Sequence, residues 1–133
     1  MTLLIAAATG LGSDLKIGLN TAIIAPSKTL ILSDMTEPTY TGYARQSVVF
    51  TSASRDSTYD IVAEGDVNAF AMSGTPVPTL VQGWFLIFGA GPSFLGYCPL
   101  PQPYQMNDAL DVLSIVVQYI QSCTPQGTAT VII

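Results

Sequence analysis

Apolar and polar residues alternate in short runs along most of the chain, and Gly, Pro, Ser and Asn separate the runs. A period of two places every second side chain on one face of an extended strand. LKIGL (15–19) alternates in this way, and TAIIA (21–25) follows it as a second short strand. QSVVFTSA (46–53) is β-branched and aromatic, with Val48, Phe50 and Ser52 on one face. The SRDS cluster (54–57) supplies turn residues, and STYDIVA (57–63) reads as the hairpin partner. EGD (64–66) predicts a turn, and SGTPVP (73–78) a loop. Between them VNAFAM (67–72) alternates again, setting Val67, Ala69 and Ala71 opposite Asn68, Phe70 and Met72.

TLVQGWFLIFG (79–89) is the most strand-like segment, and the turn GAGPS leads from it into FLGYC (94–98), so the two predict a central hairpin. NDALDVLSIVVQYIQS (107–122) reads both ways. With Asn107 as N-cap, Leu110, Leu113, Val117 and Ile120 share a helical face. The β-branched content of LSIVVQYI, and its alternation of Leu113, Ile115, Val117 and Tyr119 against Ser114, Val116, Gln118 and Ile120, favour a strand. TATVII (128–133) predicts a final strand paired into a sheet, its own or a neighbour's. Many short strands with few helical signals make the chain all-β, an antiparallel β-sandwich or jelly roll.

The 133 residues suit one domain, 1–133, with an N-terminal arm (1–14) and a C-terminal extension (123–133). Charged residues are only 10% of the chain, where about 25% is usual in soluble domains. A surface so poor in charge predicts burial against other subunits. A net charge of −5 with Lys16, Lys28, Arg45 and Arg55 spread apart argues against nucleic-acid binding. Histidine is absent, which removes the commonest general base and metal ligand. Cys98 and Cys123 match neither a zinc nor a redox spacing. MTLLIAAATG has the apolar content of a signal peptide but no basic n-region, and reads as a retained strand or arm. From Asp66 to Asp108 no charge intervenes, yet glycines and prolines interrupt every apolar run there, so no membrane span is expected.

Three constellations could carry chemistry. Asp34, Glu37 and Arg45 fall within twelve positions, among Pro38, Tyr40, Gly42 and Tyr43. Paired carboxylates could act as acid and base or hold calcium, but nothing nearby supplies the oxygen-rich run of a calcium loop. Turn chemistry fits better, with Ser33 as a cap, Asp34 and Glu37 holding backbone N–H groups of a turn, and the tyrosines plugging a sandwich edge. TGLGSD (9–14) lacks the third glycine and the lysine of a phosphate-cradling loop and reads as a flexible link. Trp84, Phe85, Phe88, Phe94, Tyr97 and Tyr104 could stack on sugars, but suit a core or a protein interface better. No catalytic, cofactor-binding or metal-ligating residue is assigned. Without histidine, a nucleophile–base pair could be built only with Lys, Asp or Glu.

Thr29, Leu30, Asp34, Thr36, Glu37, Tyr40, Gly42, Tyr43 and Ala44, followed by VQGWFLIFGAGPSFLGY and MNDALDVLSIVVQYI, carry a likeness over residues 15–121. In these positions the chain resembles small β-rich structural proteins of tailed phages and environmental viruses. The resemblance implies a strand rather than a helix at 107–122, and a virion component with no known catalysis. It departs from the family pattern at GAGPS and FLGYC, where a polar turn and a charged residue are usual. It does not separate capsid from tail. The function expected is a capsid decoration or cement protein at the virion surface, assembled in the host cytoplasm. Its partners would be itself, as a homotrimer, and the major capsid protein, without nucleic acid, membrane or cofactor. The alternative is a tail-fibre or baseplate adhesion module contacting host glycans. Asp34, Glu37, Pro38, Tyr40, Gly42 and Tyr43 are expected to form a structural corner. Leu3, Leu4, Ile5, Trp84, Tyr97, Val131, Ile132 and Ile133 are expected at an interface.

Overall fold

A computed structural model describes residues 14–55, 60–123 and 129–132. The described residues form ten strands and no α-helix, so the protein is all-β. They are β1 (Leu15–Asn20), β2 (Gln46–Ser47), β3 (Phe50–Arg55), β4 (Asp60–Gly65), β5 (Asn68–Phe70), β6 (Thr79–Phe88), β7 (Ser93–Met106), β8 (Leu113–Ile115), β9 (Gln118–Cys123) and β10 (Ala129–Ile132). The first sheet has the order β2-β1-β6-β7, the second β10-β9-β4-β3, and β5 pairs with β8 alone. Every pairing is antiparallel.

One core cluster draws on all three sheets: Leu15, Ile17, Leu19 and Val81 from the first, Phe50 and Ala63 from the second, and Phe70, Leu113 and Ile115 from the pair. Residues opposite each other across a ladder share a face. The pairs Leu15–Phe88, Ile17–Leu86 and Leu19–Trp84 therefore point at the core, and Gly18–Phe85 points away. Between the pairs Val81–Tyr104 and Gly83–Pro99 the β6–β7 ladder is irregular, with residues 100–103 of β7 set against Gln82 alone, so the extra residues belong to β7. Val81 belongs to the core cluster, and Trp84 packs against it.

Phe85 is fully buried on the far face. It stacks on Phe94 with ring centroids 6.2 Å apart, and the Arg45 guanidinium carbon lies 5.9 Å from its centre. Its ring also lies against Gly18, where a Cβ would meet Cε1 and Cε2 at 2.8 and 2.9 Å and Cζ closer still. The ring fits there only because position 18 has no side chain.

Several expected elements differ, each for a local reason. TAIIA is not a strand: the buried Asn20 side chain accepts hydrogen bonds from the N–H groups of Ala22 (3.2 Å) and Thr36 (2.9 Å) and donates to Ala22 O (2.8 Å). It thereby takes up backbone groups a ladder would use, and Ile23 is left 90% exposed. QSVVFTSA divides between two sheets, β2 in the first and β3 in the second, with Val48 N–H donating to Leu15 O and Val49 O accepting from Asp66 N–H. Val48 and Phe50 are buried as expected. EGD is not the turn, because β4 runs through Gly65, whose N–H reaches Val117 O at 2.8 Å. Of SRDS, Arg55 belongs to β3, and the residues after it lie outside the described part.

The expected hairpin forms, with β6 inside the sheet, but β7 is an edge strand and extends past FLGYC to Met106. Pro99, Pro101 and Pro103 can lie within it because an edge strand has a side where no N–H is required. In the segment 107–122 residues 108–110 form a turn, with Asp111 N–H donating to Asp108 O at 3.2 Å, and two strands, β8 and β9, follow in place of a helix. Leu113, Ile115 and Val117 are buried while Ser114 and Val116 are exposed. Asn107 caps no helix; its N–H donates to Asp111 Oδ2 at 2.7 Å. The final strand pairs with β9 of its own sheet.

Candidate functional site

The charged stretch of residues 31–45 folds as a corner between β1 and β2. It opens with a 3-10 turn, Leu32–Asp34, in which Asp34 Oδ2 accepts the Ile31 N–H at 2.9 Å. Ser33 lies inside that turn and is not its cap. Among the described residues Glu37 holds no backbone group. Its carboxylate faces Arg45 in a two-pronged ion pair, Nε to Oε1 and Nη2 to Oε2, both 2.9 Å. The Tyr43 hydroxyl donates to Glu37 Oε1 at 2.8 Å and accepts the Leu19 N–H at 3.0 Å. The acid predicted to grip a turn instead anchors a relay from Arg45 through a carboxylate and a phenol to the edge of β1.

The surroundings explain why the relay holds. Pro38 and Tyr40 are buried, Tyr40 meets Tyr43 edge to face at 5.6 Å, and Tyr43 stacks on Phe70 at 6.2 Å. Gly42 has φ of +93°, and a Cβ there would stand 2.5 Å from Ser73 Oγ. Ser73 in turn ties down the turn through Thr41 O, which accepts from its N–H at 2.8 Å and from its hydroxyl at 3.2 Å. Burial by itself raises the Glu37 carboxyl pKa, and the hydrogen bonds from Arg45 and Tyr43, with the Arg45 charge, more than offset this and leave it below its ordinary value. Burial first, and then the carboxylate beside it, hold the Tyr43 phenol far above its usual range despite the Leu19 hydrogen bond. The glutamate stays charged and the tyrosine stays protonated, so the set is suited to fixing backbone rather than to moving protons.

Of the expected corner residues, Glu37, Tyr40 and Tyr43 are joined by these contacts, together with Arg45, which was not among them, while Asp34 bonds Ile31 within its own turn. The signal for Arg45 was there: a basic residue, rare in this chain, eight positions after an acid. Among the described residues, no group of three or more Cys, Asp or Glu side chains is placed to hold a metal ion.

A second feature is an apolar groove of about 240 Å³ bordered by Trp84, Leu86, Leu95, Tyr97, Cys98 and Val117. It opens where the core face of β6 and β7 meets the start of β9. Trp84 and Leu86 pack on the core from one side and border the groove on the other. Leu95, left unpaired by the second register shift in the hairpin, is 47% exposed. Tyr97 lies over Gly83, where a Cβ would come within 2.5 Å of its hydroxyl. Trp84 and Tyr97 therefore border one groove. Of the other expected interface positions, Leu3, Leu4, Ile5 and Ile133 lie outside the described residues, and Val131 and Ile132 are placed only as backbone in β10. The aromatic residues form no single open platform: Phe85 is buried, and Trp84, Phe88 and Tyr104 pack against the core.

Compared with models of protein families, with curated proteins and with solved structures, the chain matches none.

Proposed function

We propose that this chain is a non-enzymatic structural protein of a tailed-phage virion, a decoration or cement protein of the capsid exterior that acts as a homotrimer on the major capsid protein. In this reading the two four-stranded sheets are the layers of a β-sandwich, which agrees with a single core cluster drawn from both. The observation that carries the proposal is the exposure of large apolar side chains on a surface with little charge. Ile23 is 90% exposed and Leu110 89%, with Val77 and Leu80 also open. Leu80 is in β6, Val77 precedes that strand, Ile23 follows β1 and Leu110 follows β7, and the register sets these three strand ends side by side. Covering such a surface contributes about 25 cal/mol per Å² before the costs of ordering. The likeness to phage structural proteins supplies the setting.

The test is co-sedimentation of the purified protein with capsids of the phage that encodes it, followed by heating. Binding, with a higher temperature of DNA release, supports the proposal. Failure to bind at micromolar concentration overturns it. The adhesion reading draws on the groove beside Trp84; glycan binding lost in a folded Trp84→Ala variant would favour that reading instead.

A further inference from the structure

The groove beside Trp84 leaves apolar core-facing side chains uncovered on a molecule that also carries, in residues 2–8, the apolar run TLLIAAA. We infer that the groove is the seat of this run from a second copy of the chain, entered by Leu3, Leu4 and Ile5. The inference rests on the proposed assembly and names the parts that join.

Gly89 N–H donates to Asp14 O at 3.1 Å, which fixes the entry to β1 beside the β6–β7 turn. β1 is antiparallel to β6, and Leu15 stands opposite Phe88. Followed backwards from Leu15, the chain therefore points past residues 89–92, off the end of the sheet. The groove lies the other way: Leu86 and Trp84 are two and four residues back along β6, roughly 7 and 13 Å from that exit. Asp14 thus leaves the sheet at the end away from the groove, and a second copy is the occupant proposed. Thirteen residues in extended form reach roughly 43 Å, enough to cross to another subunit.

The chemistry of the two parts agrees. The run at 2–8 has no charge, and the groove has none either: its lining is apolar or aromatic apart from the Cys98 thiol and the Gln118 amide. Gly96 also borders the groove, and a Cβ built on it meets nothing within 4 Å, so there is room beside it for an incoming side chain. The bulge at Leu95 turns one more aliphatic side chain toward the same opening.

Cys98, exposed at the wall, is a built-in reporter. The experiment uses the full chain with Cys123→Ser, so that one thiol remains, and follows the rate of Cys98 with a maleimide across a dilution series alongside sedimentation velocity. The expected result is at least tenfold slower reaction in the associated form than in the dilute one. Leu4→Asp, which spoils the run, and Gly96→Phe, which fills the groove, should each abolish both association and protection. Association that persists in both variants, or that leaves Cys98 fully reactive, overturns this inference and leaves the assembly proposal standing. A monomer at every concentration overturns the assembly proposal as well, and if its Cys98 is protected, the chain's own run occupies the groove.

Discussion

Replacing Tyr43 by Phe removes one oxygen atom, and that oxygen joins two parts of the fold. It accepts the Leu19 N–H at 3.0 Å and donates to Glu37 at 2.8 Å. Leu19 is fully buried, so its amide would lose its acceptor where water enters poorly. An orphaned buried donor costs about 1–3 kcal/mol. The loss on the Glu37 side is smaller, because the carboxylate keeps both Arg45 hydrogen bonds and is 29% exposed, so water can replace the phenol. The sum is about 2 kcal/mol, which for a domain of this size lowers Tm by roughly 6–10 °C. Tyr40→Phe is the control. Tyr40 is buried, yet its hydroxyl has no hydrogen-bond partner among the described residues, so its removal should change stability by less than about 0.5 kcal/mol. Urea unfolding followed by the fluorescence of Trp84, the single tryptophan, measures both. Equal effects of the two substitutions, or a Tyr43→Phe cost below about 0.5 kcal/mol, would refute the relay as the element that holds the corner.

The remaining predictions concern single contacts. Gly42→Ala should cost about 1–3 kcal/mol in the same urea assay, since it combines positive φ with a Cβ 2.5 Å from Ser73 Oγ. Gly18→Ala should cost a similar amount, about 1–3 kcal/mol, because the Phe85 ring it meets is enclosed and cannot move aside. Glu37 has a folded-state pKa below its ordinary value, so its contribution is complete at pH 7 and is lost as pH falls through the folded value. Tm measured from pH 7 down to pH 3 should therefore fall more steeply for the parent than for Glu37→Gln; parallel curves would remove the ion pair from the account. Ile23→Asp and Leu110→Asp should leave urea stability within about 0.5 kcal/mol while weakening self-association in sedimentation, since both side chains are almost fully exposed.

The period-two pattern located most of the strands, and faces were legible wherever a strand stayed within one sheet. Leu15, Ile17 and Leu19 are such a case, as are Asn68, Phe70 and Met72 on the buried side of their segment. The pattern was silent where one run serves two sheets. Nothing in VVF or SIVVQ marks the step from β2 to β3 or from β8 to β9, because alternation continues across it and only the partner changes. In β6 the buried and exposed positions alternate without a break, so nothing in the pattern marks the irregularity at which β7 sets residues 100–103 against Gln82. TAIIA has strand composition but follows an asparagine whose side chain binds the next turn of backbone, and that competition is settled by tertiary position. The corner was legible as a corner from its Pro, Gly and Tyr residues. Its wiring was not, since whether Glu37 meets a backbone amide or Arg45 depends on how the chain returns to β2. The groove left no local signal, because its borders come from β6, β7 and the entry to β9, distant in sequence.

Assembly is the property on which the functional reading stands, and the solution mass of the full chain tests it most directly. Light scattering across micromolar concentrations should report a particle of about 42 kDa, three copies of the 14.0 kDa chain. A mass of one chain at every concentration would contradict the account.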